Sequence, residues 1–197
     1  MGGSQPQGDH YGMARFSKVV FALSAASAIT SSAQTFTTLA SFSTSAGYQP
    51  NASLVQGVNG NLFGTTEYSD ESNGGLGTVF EITPAGTLGT LGSFDYSDGA
   101  DPQAGPVQAN NADLYGTAST GGANSAGTVF QISPSGTLTA LYSFCSVISS
   151  AGRCADGLSP NAPLIQATNG NFYGTTNSGG TARVSVARSL RLPRRVC

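Results

Sequence analysis

Leu62-Phe63-Gly64-Thr65-Thr66 decides the fold, because it returns as Leu114-Tyr115-Gly116-Thr117-Ala118 and again as Phe172-Tyr173-Gly174-Thr175-Thr176. Other motifs recur around it in the same order. Gly77-Thr78-Val79-Phe80 comes back fifty residues later as Gly127 to Phe130. A Pro is followed six residues on by a Gln at Pro50 and Gln56, Pro102 and Gln108, and Pro160 and Gln166, and Ser-Phe pairs end at Phe42, Phe94 and Phe144. Self-similarity at a period near fifty residues marks a repeat architecture in which each unit buries a face against its neighbour.

Each repeat reads as four strands separated by turn residues. Ser53 to Gln56 is the first, and Asn59-Gly60 turns it into the second, Asn61 to Thr66. Asn-Gly between short apolar runs predicts a type I′ turn with positive φ at both central residues. Asn169-Gly170 repeats this signal and Asn111-Ala112 departs from it. After a loop with paired glycines (Gly74-Gly75, Gly121-Gly122, Gly179-Gly180), the third strand runs Gly77 to Thr83. Phe80 and Ile82 lie on one face and Val79 and Glu81 on the other, so both faces carry apolar character, as in a sheet stacked between neighbours. Pro84-Ala85-Gly86 and Pro134-Ser135-Gly136 fit a type I turn ending in a left-handed glycine, ahead of the fourth strands Thr87 to Phe94 and Thr137 to Phe144. The expected fold is all-β, with tandem four-stranded repeats that resemble propeller blades. The coils of a β-solenoid are shorter.

The phase of the repeat matters as much as its period. Thr35 to Phe42 matches a fourth strand alone; two full repeats follow, then only the first two strands of a third. About two and a half blades make an incomplete array, too little for a closed ring of four or more. Its unpaired strand edges predict self-association.

The ends of the 197-residue chain read differently from its middle. Met13-Ala14-Arg15-Phe16-Ser17-Lys18, the small and apolar run Val19 to Ile29, and Ser31-Ser32-Ala33 form the three regions of a secretory signal peptide, with cleavage expected after Ala33. The apolar run is too short to serve as a membrane anchor. Residues 1–12 read as a spurious leader ahead of Met13, residues 13–33 as the signal, and residues 34–180 as the β-repeat domain. Residues 181–197 read as an aberrant Arg-rich tail, expected to be disordered. A Gly-Thr-Val-Phe strand is due after Gly180, and Arg183, Arg188, Arg191, Arg194 and Arg195 follow instead. A frameshift or truncation accounts for this; a basic tail that meets a membrane or an acidic partner is the rival. Between Gln34 and Ala182 nine acidic residues face one basic residue, Arg153, which argues against a nucleic-acid partner.

The run Leu62 to Thr66, the double-glycine loop, Gly77 to Phe80 and the closing Leu-x-Ser-Phe strand together resemble the GloVer-type (Gloeo/Verruco) tandem repeat of exported, choice-of-anchor bacterial proteins. The resemblance covers roughly Thr35 to Thr181. It implies export and a propeller-like array, and it brings no catalytic residues. The structural marks of the repeat are Gly64, Gly77, Phe80, Gly116, Gly127, Phe130 and Gly174.

Chemistry is sparse. The single histidine, His10, precedes the expected cleavage point, which excludes Ser-His-Asp triads, Cys-His pairs and His-based zinc sites from the processed chain. Cys145 and Cys154 fall in a segment that lengthens the third repeat, and in an exported protein they read as a loop-stapling disulfide rather than a thiol or metal pair. Cys197 is left over. Asp98, Asp101 and Asp156 precede the recurrent Pro; they offer too few oxygens for Ca²⁺, and Asp-Gly turns are usually only turns. Glu67, Asp70 and Glu71 cluster in one loop and read as solvated, and Glu81 becomes Gln131 in the next repeat. Phe63, Tyr115 and Tyr173 share one repeat position, which fits packing between blades better than a sugar-stacking ladder.

The function expected is that of an exported, non-catalytic scaffold with a binding or structural role at the cell surface. No cofactor, metal or nucleic acid is called for, and the partner is an extracellular polysaccharide or protein. The destination is secreted, extracellular or cell-surface, with the periplasm as an alternative. A carbohydrate-active enzyme or sugar-binding propeller is the first rival, with change of Glu71 or Asp101 as its test. A truncated product without function is the second.

Overall fold

The computed structural model describes residues 35–43, 46–70, 75–180 and 188–190. The expected leader and signal segments therefore lie outside the described residues, as do Glu71 and Cys197.

Among the described residues there are two complete blades, each a four-stranded antiparallel meander. The first comprises β1 (Val55–Gln56), β2 (Leu62–Thr66), β3 (Thr78–Ile82) and β4 (Leu88–Ser93) in the order β1-β2-β3-β4. The second comprises β5 (Val107–Gln108), β6 (Leu114–Ala118), β7 (Thr128–Ile132) and β8 (Leu138–Ser143) in the matching order. A third sheet has the order β11-β10-β9, from β9 (Ile165–Gln166), β10 (Phe172–Gly174) and β11 (Arg188–Leu190). The described residues are all-β, as the repeat predicts.

Register repeats with the sequence. Gly64 pairs with Phe80 and Gly116 with Phe130. A bulge recurs at Val79/Phe80 and at Val129/Phe130, opposite the fourth strands. In the third sheet Gly174 pairs with Arg188, so the Arg-rich segment fills the backbone place that Phe80 and Phe130 hold elsewhere. Within the Arg-rich segment, the described residues Arg188–Leu190 form a strand. The physical reason is the open ladder of β10, whose backbone groups can be paired by any extended segment.

The hairpin turns correct one expectation. Gly60 is left-handed (φ 83°), but Asn59 is not among the residues with positive φ. The Gly60 N–H donates to the Gly57 carbonyl (2.9 Å) and Gly57 N–H to the Asn61 carbonyl (2.8 Å), the pattern of a type I turn closed by a left-handed glycine. Asn59 instead uses its side-chain oxygen to accept from the Asn61 N–H (3.1 Å). Gly86 and Gly136 close the second hairpin of each complete blade in the same way.

Apolar residues alternate between the two faces of each blade, and both faces are buried where a neighbour is present. Phe63 and Val79 of the first blade meet Leu114, Phe130 and Ile132 of the second, with Phe94 and Ala118 in the same cluster. Val129 of the second blade likewise shares a cluster with Leu164 and Phe172 of the third. The core therefore lies between blades rather than within any one of them. Gly64 and Gly116 are needed because a Phe ring lies across each: an added Cβ would fall inside 3.0 Å of Phe80 Cζ or Phe130 Cζ.

Candidate functional site

The edge where each blade's first strand begins is shaped by an unusual backbone. Gln49, Asp101 and Ser159 immediately precede the recurrent prolines and have φ of 59°, 52° and 52°. A residue before Pro ordinarily takes an extended conformation, so the motif gives no hint of this. The left-handed turn lets each carbonyl accept from the end of the second strand: Glu67 N–H to Gln49 (3.1 Å), Ser119 N–H to Asp101 (3.2 Å), Asn177 N–H to Ser159 (3.0 Å). It also lets Asp101 N–H donate to the Leu76 carbonyl (3.0 Å) and Ser159 N–H to Ala126 (2.8 Å), stitching each blade to the one before.

Among the described residues, the first blade alone places two aromatic side chains at the bridge position of this edge. Tyr48 and Tyr68 form an antiparallel bridge with their rings 5.5 Å apart, where the second and third blades place Ala100 with Thr120 and Leu158 with Ser178. Glu67 lies beside them. Its Oε2 accepts from Asn51 Nδ2 (2.8 Å), and its Oε1 accepts from Tyr68 OH (3.1 Å) and from Gln103 Nε2 of the second blade (3.2 Å). The hydrogen bond to Glu67, followed by that carboxylate's charge, holds the Tyr68 phenol above its ordinary pKa. The cluster offers a partly exposed aromatic face bordered by amides, a carboxylate and a phenol. Repeat reasoning missed Tyr48 and Tyr68 because they do not recur.

The acidic residues ahead of the recurrent prolines are dispersed. Asp95 Oδ1 accepts from Ser97 N–H (2.9 Å), Ser97 Oγ (2.7 Å) and Asp98 N–H (3.1 Å), a local turn; the hydrogen bond from the Ser97 side chain leads in lowering its pKa. Asp98 Oδ1 accepts from Asp95 N–H (3.1 Å), and burial pushes this carboxyl up to about 6. Asp101 Oδ2 accepts from Thr120 Oγ1 (2.9 Å).

Asp156 is buried, and its Oδ2 accepts from Tyr142 OH (2.6 Å), Ser146 N–H (2.9 Å) and Ser146 Oγ (2.8 Å). Burial pushes its pKa up, but the hydrogen bonds from Tyr142 and Ser146 outweigh it and the carboxyl sits below its ordinary value. Among the described residues, no group of three or more His, Cys, Asp or Glu side chains is placed to hold a metal ion.

Glu81 accepts from Asn61 Nδ2 (2.6 Å) across the hairpin. Phe63 is buried between blades, and Tyr115 stacks on Phe172 of the third blade at 4.4 Å. Tyr173 OH accepts from Asn169 Nδ2 (3.1 Å). These three ring positions serve contacts within and between blades rather than a shared exposed ladder.

Cys145 and Cys154 are joined as a disulfide with Cα atoms 4.5 Å apart. They staple a small hairpin in which Ser149 N–H donates to Arg153 (2.8 Å) and Ala155 N–H to Val147 (2.7 Å). Where Phe94 and Gly99 are five positions apart, Phe144 and Gly157 are thirteen apart, so this hairpin is the added length of the third repeat.

No curated protein matches the chain significantly. Among solved structures it is similar to the X-ray structure of a provisionally assigned gluconolactonase, with 18% identity and a TM-score of 0.43 over 71% of this chain and 48% of that one. The chain thus spans about half the length of that protein. No described helix is long and apolar enough to cross a membrane. The family model described as the Gloeobacter/Verrucomicrobia repeat matches residues 3–190, and the chain belongs to that family.

Proposed function

We propose that this protein is an exported, non-catalytic scaffold that binds a polysaccharide or protein ligand at the cell surface. The observation that carries this reading is the fate of the acidic side chains at the first-strand edge of the first and second blades. Glu67 accepts hydrogen bonds from two amides and a phenol, and Asp101 from a hydroxyl, so these groups work in holding the array together. The disulfide supports an oxidising destination, since such bonds persist outside the cytosol. The Tyr48 and Tyr68 rings supply a face on which a sugar ring could stack, with amides beside it for hydroxyl groups.

A polysaccharide-retention screen run beside a reducing-sugar assay tests the proposal. Retention on one glycan, weakened by Tyr48→Ala and by Tyr68→Ala without release of reducing ends, is the expected result. Turnover that disappears on changing Glu71 or Asp101 would overturn the scaffold reading in favour of a carbohydrate-active enzyme.

A further inference from the structure

The two interfaces between consecutive blades use the same positions, and that repetition identifies the matching residues that are exposed on the first blade and on the third sheet. On the leading face of the second and third blades, Pro102 and Pro160 are buried against Gly77 and Gly127, so closely that a Cβ on either glycine would come within 3.0 Å of the proline Cδ. Next along this face, Pro106 and Leu164 are also buried. The carbonyls of Ala104 and Ala162 accept from Thr65 Oγ1 (3.1 Å) and Thr117 Oγ1 (3.0 Å) of the preceding blade. The first blade presents the same face uncovered: Pro50 is exposed, and Leu54 is 48% exposed where Leu164 is 4%.

The trailing face shows the converse. Thr65 and Thr117 are buried beneath the following blade, and Val55 and Val107 pack into the clusters between blades. Their counterparts in the third blade are exposed: Thr175, and Ile165 at 64%.

The segment 37–43 completes the picture. The Leu39 carbonyl crowds Gly86 as the Leu91 carbonyl of β4 crowds Gly136. Phe42 meets Phe80 edge-on at 4.8 Å, as Phe94 of the first blade meets Phe130 at 5.0 Å. The segment therefore takes, against the first blade, the place that β4 takes against the second. The third sheet matches the first three strands of a complete blade with β9, β10 and β11, and among the described residues no strand pairs with the outer edge of β11, which corresponds to the edge of β3 and β7 where β4 and β8 pair.

We propose that the chain assembles head to tail with further copies of itself. The leading face of the first blade of one copy seats on the trailing face of the third sheet of the next. Residues 37–43 then add a fourth strand beside Arg188–Leu190, giving a composite blade shared by two copies. The interface continues the one found twice within the chain: Thr175 would donate to the Ala52 carbonyl, and Leu54 and Ile165 would both be covered. It is heterologous, so it propagates unless the rotation closes a ring. This assembly is independent of the ligand-binding role.

Sedimentation velocity on the full chain, from low micromolar to near-millimolar concentration, tests it. The wild type is expected to grow in mass with concentration. Leu54→Arg and Ile165→Arg, each on a side chain exposed in the single copy, are expected to weaken association by about tenfold or more, since each places a charge in an interface core. A mixture of the two variants is the decisive sample. Each retains the face the other lacks, so the mixture should form dimers and nothing larger.

A wild type that stays monomeric throughout would overturn the proposal, as would variants that assemble like the wild type. So would a mixture that remains monomeric while circular dichroism shows both variants folded, because a two-fold symmetric interface or a different partner would then be at work. Pro50→Glu with Thr175→Arg provides a second pair read in the same way.

Discussion

Gly116→Ala isolates the contact that most constrains the repeat motif. Gly116 is not among the residues with positive φ, so alanine brings no backbone strain and acts through its methyl group alone. That methyl would fall inside 3.0 Å of Phe130 Cζ and of Phe130 Cε1. The ring cannot yield easily: Phe130 is fully buried, paired with Gly116 across the ladder and held edge-on to Phe94. Overpacking of this kind costs about 1–3 kcal/mol, and a confined ring places this site near 3. With an m-value of about 2 kcal/mol/M, the urea midpoint should fall by roughly 1.5 M. Far-UV circular dichroism or tyrosine fluorescence reads the transition, at one fixed protein concentration so that association does not shift it. Phe130→Leu in the same background removes the obstructing ring edge, and the double variant should be about 1–2 kcal/mol more stable than the two single effects added. Gly89→Ala is the control: its Cβ meets nothing and its φ is not positive, so it should be neutral or stabilising by about 0.4–1 kcal/mol. A midpoint for Gly116→Ala close to that of the wild type, or strict additivity with Phe130→Leu, would refute the account of why the motif carries glycine.

Three further outcomes follow from particular residues. Ala112 holds the left-handed position that Gly60 and Gly170 fill in the other blades, at φ 66°, so Ala112→Gly should raise stability by about 1 kcal/mol in the same urea assay. Reduction of Cys145–Cys154, or Cys145→Ser with Cys154→Ser, frees a short loop and should cost about 2–3 kcal/mol on the loop-entropy model, read as a lower thermal midpoint with dithiothreitol present. Asp98 has its folded pKa raised to about 6 from 3.8, so the folded chain keeps a proton that the unfolded chain loses at lower pH; its contribution is greatest below about pH 4 and declines as pH rises through 6. Asp98→Asn should therefore stabilise by roughly 1 kcal/mol at pH 7, after discounting for solvent screening, and by almost nothing at pH 4. A gain independent of pH would reject that assignment.

The scaffold was far more legible in the sequence than the site, and the reason is physical. A position that recurs does so because the blade or its interface needs it. Gly64, Phe80, Gly116 and Phe130 announce a packing requirement, and the structure supplies it as a ring laid over a glycine. The dipeptide Asn59-Gly60 marks the place of the turn but not its type, because Asn can serve a left-handed position or cap the next N–H and the dipeptide does not distinguish these uses. The left-handed Gln49, Asp101 and Ser159 were hidden because proline biases its predecessor the other way. Tyr48 and Tyr68 are twenty positions apart and occur once, so a search for self-similarity passes over them; their proximity depends on the bridge between two loops.

Glu81 shows how a departure from a repeat can keep its physics. Read alone, its replacement by Gln131 says that no acid is required there. In the structure Glu81 accepts from Asn61 in the first blade, whereas Gln131 donates to Asp113 in the second, at 2.5 Å. Acid and amide have exchanged strands together, so what recurs is a cross-strand hydrogen bond with its donor and acceptor reversed. A residue-by-residue comparison scores two substitutions where the fold registers one retained pair. The third sheet sets Ser189 opposite Tyr173, the register place of Glu81 opposite Phe63, while Asn171 stands where Asn61 and Asp113 stand. Repeats in this family member are therefore better compared as pairs across strands than as single columns. On that footing the Arg-rich segment retains the ladder of a third strand without the Phe that locks the complete blades.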